Sequence, residues 1–194
     1  MTGCRICSSG WCADKGEDGM ENHRKQEEMN RMLRVQNIYR HPLFAECLEK
    51  NRLAEVERIF CTHDMEHFLD VARLAYIFSM EREYGIAKEE IYAAALLHDI
   101  GKWRQYEEQI PHERAGALLA ESILRDTGFD EEECARILAA ILNHRRENTE
   151  CADAAGKLAE VLYDADKISR NCFACRAEKE CDWSDAKKNL QILW

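Results

Sequence analysis

Residues 95–103 read ALLHDIGKW, and the adjacent imidazole and carboxylate of His98 and Asp99 close an apolar run with the composition of a buried helix. Each of these polar groups costs free energy in apolar surroundings unless it is paired or bound. Their partners must come from elsewhere in the chain, and the pattern around them indicates from what kind of element. No stretch alternates apolar and polar residues long enough for a strand, whereas apolar residues recur at helical spacing almost throughout. The pattern predicts an all-α chain, a compact helical bundle whose polar residues sit at helix ends or on inward faces.

Working outward, 194 residues suffice for one buried core with appended ends. The formal net charge of -10 argues against a general nucleic-acid binder, which needs a basic field to displace counterions from phosphates. No long nucleic acid is therefore expected as a partner, and a small anionic substrate would need a local positive or metallic site. No run approaches the roughly 18 apolar residues of a spanning helix, and the N-terminus lacks a basic-then-apolar export signal. The expectation is a cytoplasmic protein without membrane contact.

Residues 1–20, rich in turn formers, read as a cysteine-containing tail, and 21–60 as an N-terminal helical segment. In the latter Leu43, Phe44, Cys47, Leu48, Leu53, Val56 and Phe60 fall at spacings suited to a buried face. The main domain spans 61–170, with a cysteine-rich extension over 171–194. Within the main domain a helix from about Asp64 to Glu83 buries Phe68, Val71, Ala72, Ala75, Tyr76 and Phe78 and ends at Gly85. The next runs from Lys88 to about His98 and stops at Gly101, and another opens at Pro111 and stops at Gly128. The segment DEEECARILAAILNHR puts acids at its start and His144 and Arg145 at its end, where each suits the helix dipole. A last helix, from about Asp153 to Arg170, places Leu158, Val161, Leu162 and Ile168 inside.

His63, His67, His98, His112 and His144 all lie at or near these helix ends, and Asp164 and Asp166 follow late in the chain. Bundles build metal centres from such inward-projecting histidines and carboxylates. The N/O donor set suits iron, manganese or zinc and is too nitrogen-rich for magnesium alone. His23 and His41 lie in the polar leader and carry no assigned role.

The series HFLDVARLA (67–75), AALLHDIGK (94–102) and DADK (164–167) resembles the HD-domain superfamily of metal-dependent phosphohydrolases, over roughly residues 60–170. The resemblance implies that His67, His98, Asp99 and Asp166 hold one divalent metal, iron or manganese. Asp99 would bridge to a second ion completed by His112 and His144. Asp166 matches the late aspartate better than Asp164, because it directly precedes Lys167 and Ile168. The implied activity is cleavage of a phosphate ester or anhydride of a nucleotide or other small phosphorylated molecule by a metal-bound hydroxide. Lys102, within a turn of Asp99, and Arg145, beside His144, could add positive charge for a phosphate. His63, four residues before His67, could contact substrate or shuttle a proton. Two alternatives stay open: a nucleotide-binding or redox- or iron-sensing regulatory protein with little turnover, and a di-iron oxygenase. The oligomeric state is not legible.

Ten cysteines without an export signal point to metal ligation rather than disulfides. Cys172, Cys175 and Cys181, in CFACRAEKECDW, are three ligands for zinc or an iron-sulfur cluster. Their spacing resembles the C-terminal triplet of iron-sulfur nuclease domains, whose fourth cysteine lies far upstream. That implies Cys61 here, with Cys12 or Cys7 as the alternative. Cys4, Cys7 and Cys12 could instead form a site of their own, and free thiols are the other reading of both triplets.

Overall fold

The computed structural model describes residues 32–145 and 153–192. The expectations for Cys4, Cys7, Cys12 and His23 lie outside the described residues. Among those described, the chain forms eight α-helices, one 3-10 turn at Cys172–Ala174 and no strand. In chain order the helices are α1 (Leu33–Arg40), α2 (Pro42–Ala54), α3 (Met65–Glu81), α4 (Lys88–Leu97), α5 (Lys102–Glu108), α6 (His112–Asp126), α7 (Glu131–Asn143) and α8 (Ala154–Ile168). None of the described helices is long and apolar enough to cross a membrane.

The helix boundaries follow local chemistry. Asp64 caps α3 by accepting from the His67 N–H, Asp130 and Glu133 form a reciprocal capping box on α7, and Asp153 accepts from the Gly156 N–H to start α8. His41 caps α2 and so has a structural use. Gly128 adopts φ of +88°, the left-handed conformation that terminates α6 at low steric cost, whereas α3 closes on Glu83 at φ +54°, with the Tyr84 N–H bonded to the Ser79 carbonyl, two residues before the expected stop at Gly85. Helix α4 sits at the centre, packed against α1, α3, α6, α7 and α8. Its Ile91, Ala93, Ala94, Ala95, Leu96 and Leu97 are all buried, and the alanines allow neighbours to approach closely.

The structure corrects three expectations. Leu53 and Val56 are 55% and 68% exposed, and the inward side of α2 carries Asn51 and Glu55 instead. On α3, Tyr76 is only half-buried, and Ser79 takes an inward position. Helix α5, with no buried residue, is additional to the expected set.

Gly101 does more than interrupt a helix. Its φ of -89° suits any residue, but a Cβ there would lie 2.4 Å from Gly116 N and 2.9 Å from Ala115 Cβ. The turn after His98 and Asp99 therefore presses its backbone against α6, with no room for a methyl group. Gly101→Ala should destabilise the fold by about 3 kcal/mol, because the clash is with backbone that cannot rotate away. Denaturant unfolding checks this, and an unchanged midpoint would show that the two helices separate freely.

Candidate metal centre

Five elements converge on Asp99. The capped first turn of α3 supplies His67, the end of α4 supplies His98 and Asp99, and the start of α6 supplies His112. The end of α7 supplies His144, and the last turn of α8 supplies Asp166. Donor atoms of His67, His98, Asp99 and Asp166 all lie within 4.8 Å of one another, as do those of Asp99, His112 and His144. Asp99 belongs to both groups. Asp164, by contrast, pairs with Arg82 at 2.6 Å, outside either group.

The atoms facing inward lack ordinary partners. Asp99 Oδ1 lies 3.1 Å from His112 Nε2 and 3.7 Å from His144 Nε2, yet no hydrogen bond satisfies it. Buried His67 Nε2 and His98 Nε2 are equally unsatisfied. Such orphaned buried atoms require an explanation, and a cation held between them fits the donor set. The rings are also oriented for that task. His98 Nδ1 donates to the Ala95 carbonyl at 2.7 Å and His144 Nδ1 to the Ile141 carbonyl at 2.6 Å, so each turns its Nε2 lone pair toward Asp99 when neutral. His112 Nδ1 lies 2.5 Å from Gln105 Oε1, which orients the third ring in the same way.

A supporting layer surrounds these groups. Asn51 donates to the Asp99 carbonyl at 2.9 Å and accepts from the Trp103 N–H at 2.8 Å, fixing both sides of the turn that carries Asp99. Glu55 accepts from the His63 backbone N–H at 2.8 Å and the Tyr106 hydroxyl at 2.7 Å, and it holds the His63 ring at Nδ1. His63 Nε2 then faces Asp99 Oδ2 at 3.6 Å. Lys102 Nζ lies 3.4 Å from His112 Nδ1, whereas Arg145 is 55% exposed and faces Glu113 at 3.7 Å. Arg170 donates to Asp166 Oδ1 at 2.9 Å and is the basic residue that the sequence pattern missed. Neither donor group includes a cysteine. Cys61, Cys172, Cys175 and Cys181 form no disulfide, and no group of three ligand atoms forms with them among the described residues.

Charge is distributed accordingly. Burial opposes ionisation of Asp99 and Asp166, but His98 and His63 around the former, and His67, His98 and Arg170 around the latter, hold both well below the usual carboxylate range. Burial likewise opposes a charged His98, yet Asp99 and Asp166 outweigh it and push the imidazole up to about 10. Burial pushes His112 down to about 3 and His144 to about 4, leaving both neutral. It also lowers His67 and the Lys102 ammonium.

An HD-domain family model matches residues 64–171. The chain belongs to the HD-domain family. A protein of Clostridium beijerinckii (strain ATCC 51743 / NCIMB 8052), named only as an uncharacterized protein, is 42% identical over 147 residues, covering 76% of this chain and 90% of its own. No solved structure matches the chain. Membership in the family brings a superfamily of metal-dependent hydrolases, and the His/Asp cluster fits divalent metal binding.

The metal-free HD protein should be most stable near pH 6.5. Below that value the unfolded chain protonates its histidines, while folded His112 and His144 resist down to about 3 and 4. Stability then falls by about 1.4 kcal/mol per pH unit for each such imidazole. Above it, folded His98 retains a proton that the unfolded chain has lost, so stability declines as pH rises toward 10. Urea unfolding of metal-stripped protein from pH 4 to 8 measures this. Manganese, which binds neutral imidazole, should raise Tm more at pH 7 than at pH 5. A flat profile with equal metal shifts would contradict the assigned protonation states.

Proposed function

We propose that this HD-domain protein is a phosphohydrolase that cleaves an ester or anhydride of a small phosphorylated molecule, a nucleotide foremost, using two divalent cations, iron or manganese. The observation that carries the reading is the membership of Asp99 in both donor groups, with Oδ1 buried and unsatisfied between them. When bound, the cations polarise a phosphoryl group and acidify a coordinated water. His67, His98, Asp99 and Asp166 would hold one ion, and Asp99, His112 and His144 the other.

The remaining residues position and balance. Asn51 locks the Asp99 turn, and the Ala95 and Ile141 carbonyls fix the tautomers of His98 and His144. Lys102 contributes positive charge at the α6 side for phosphoryl oxygens, and Arg145 contributes it from the exposed rim. His63, held at Nδ1 by Glu55, presents Nε2 beside Asp99 for contact with substrate or for moving a proton.

The test uses protein purified without oxygen and loaded with manganese or iron. It is offered nucleoside mono-, di- and triphosphates, dinucleoside polyphosphates and sugar phosphates. Expected is metal-dependent phosphate release from at least one, lost on chelation. Tight nucleotide binding without release would favour a regulatory protein, and oxygen consumption without phosphate release would favour an oxygenase. Either outcome overturns the hydrolase.

A further inference from the structure

Two clefts beside the donor cluster share Asp70, Ser169, Arg170 and Asn171 and so form one groove. The inner cleft, about 220 Å³, reaches His67 and Cys61. The outer one, about 250 Å³, lies between Arg73 and Leu74 of α3 and a wall made by Phe173, Asn189, Gln191 and Ile192. That wall lies beyond the HD-domain match, which ends at residue 171.

The wall is fastened to the metal-site helix. Asn189 Nδ2 donates to the carbonyls of Lys167, Ile168 and Arg170 at 2.8, 3.3 and 2.9 Å, satisfying the open C-terminal end of α8. The Phe173 N–H returns a bond to the Asn189 carbonyl at 2.9 Å. Arg170, whose side chain is 11% exposed, lines both clefts. It is held by Asp166 on one side and by the Trp183 ring, 5.3 Å from the guanidinium, on the other. Its Nε is buried without a hydrogen-bond partner. Phe173 is 44% exposed, an aromatic face open at the groove.

We propose that this groove is the subsite for the non-reacting part of the substrate, and that residues 172–192 act as its specificity wall. The proposal rests on the phosphohydrolase reading of the adjoining cluster. Arg170 attracts an anionic oxygen next to the reacting centre while it still holds Asp166. Phe173 packs against a flat ring carried by the same molecule, and Asp70 and Gln191 offer hydrogen bonds to that ring's edge. The ligand class is a phosphate monoester of a planar heterocyclic group, with the phosphate toward His67 and the ring toward Phe173.

Calorimetric titration of the manganese-loaded protein with adenosine 5′-monophosphate, supplied as its phosphonate analogue that resists hydrolysis, and with inorganic phosphate tests this without turnover. The monophosphate should bind at least tenfold more tightly than phosphate. Phe173→Ala should abolish most of that advantage and leave phosphate affinity intact, because the side chain is exposed and apart from the cluster. Arg170→Gln should weaken both ligands about tenfold or more with manganese stoichiometry unchanged. Equal affinity of the two ligands, or parental monophosphate affinity in Phe173→Ala, would overturn the subsite. Loss of manganese in Arg170→Gln would assign Arg170 to holding Asp166 and overturn its anion role. An absence of phosphate release from any substrate would sink the hydrolase and leave these affinities standing. A working hydrolase with parental binding in both variants would sink the subsite alone.

Discussion

Asp99→Ala should lose both metal equivalents and lower turnover on the order of 10³-fold or more, an effect typical of removing a residue that serves a whole catalytic unit. Its carboxylate is the one group shared by the two donor sets, and its Oδ1 and Oδ2 face His112 and His63 respectively. Asp166, the other carboxylate of the two donor groups, cannot replace it, because it is committed to His67, His98, Lys167 and Arg170. Elemental analysis of the purified variant, together with phosphate release, measures both effects. Two ions retained in the variant would remove Asp99 from the bridging position.

His112→Ala and His144→Ala should each lose one ion of two, stay folded, and reduce turnover by about 10²-fold or more. Their Nε2 atoms lie 3.2 Å apart and both approach Asp99 Oδ1, whereas His67, His98 and Asp166 form the rest of the other group. The fold should tolerate the change because the rings start α6 and cap α7, and they pack on one another and on His98. Melting curves check the folding, and elemental analysis checks the stoichiometry. Unchanged metal content in both variants would make the centre mononuclear.

Much of this arrangement was legible in sequence, because helix ends announce themselves chemically. Asp64, Asp130 and Asp153 are cap residues, and Gly128 is a stop, so His67, His98, His112 and His144 could be placed near termini before any fold was known. The order of HFLDVARLA, HDIGK and DADK then supplied the family frame. The supporting layer was illegible for a physical reason. Hydrophobic periodicity seeks an apolar inward face, but the inward side of α2 is polar where Asn51 and Glu55 serve the Asp99 turn and His63. Leu53 and Val56 consequently looked like core and are solvent-facing.

The far end of the chain was obscured differently. Arg170 follows the aspartate motif without a pattern of its own, and Asn189 reaches α8 across 19 to 22 positions in sequence. The regular spacing of Cys172, Cys175 and Cys181 pointed to ligation, and what the described residues show of this extension is its attachment through Asn189 to the Lys167, Ile168 and Arg170 carbonyls. Cys61 lies at the inner cleft. Gly101 was legible as punctuation only, since its closeness to Gly116 is a tertiary fact.

Titration of metal-stripped protein with manganese, following bound ions and phosphate release in the same samples, tests the dinuclear hydrolase most directly. Two ions should bind per chain, with phosphate release low at one equivalent and reaching its plateau only at two. Full phosphate release at a single bound ion, or two bound ions with no release from any phosphorylated compound offered, would contradict it.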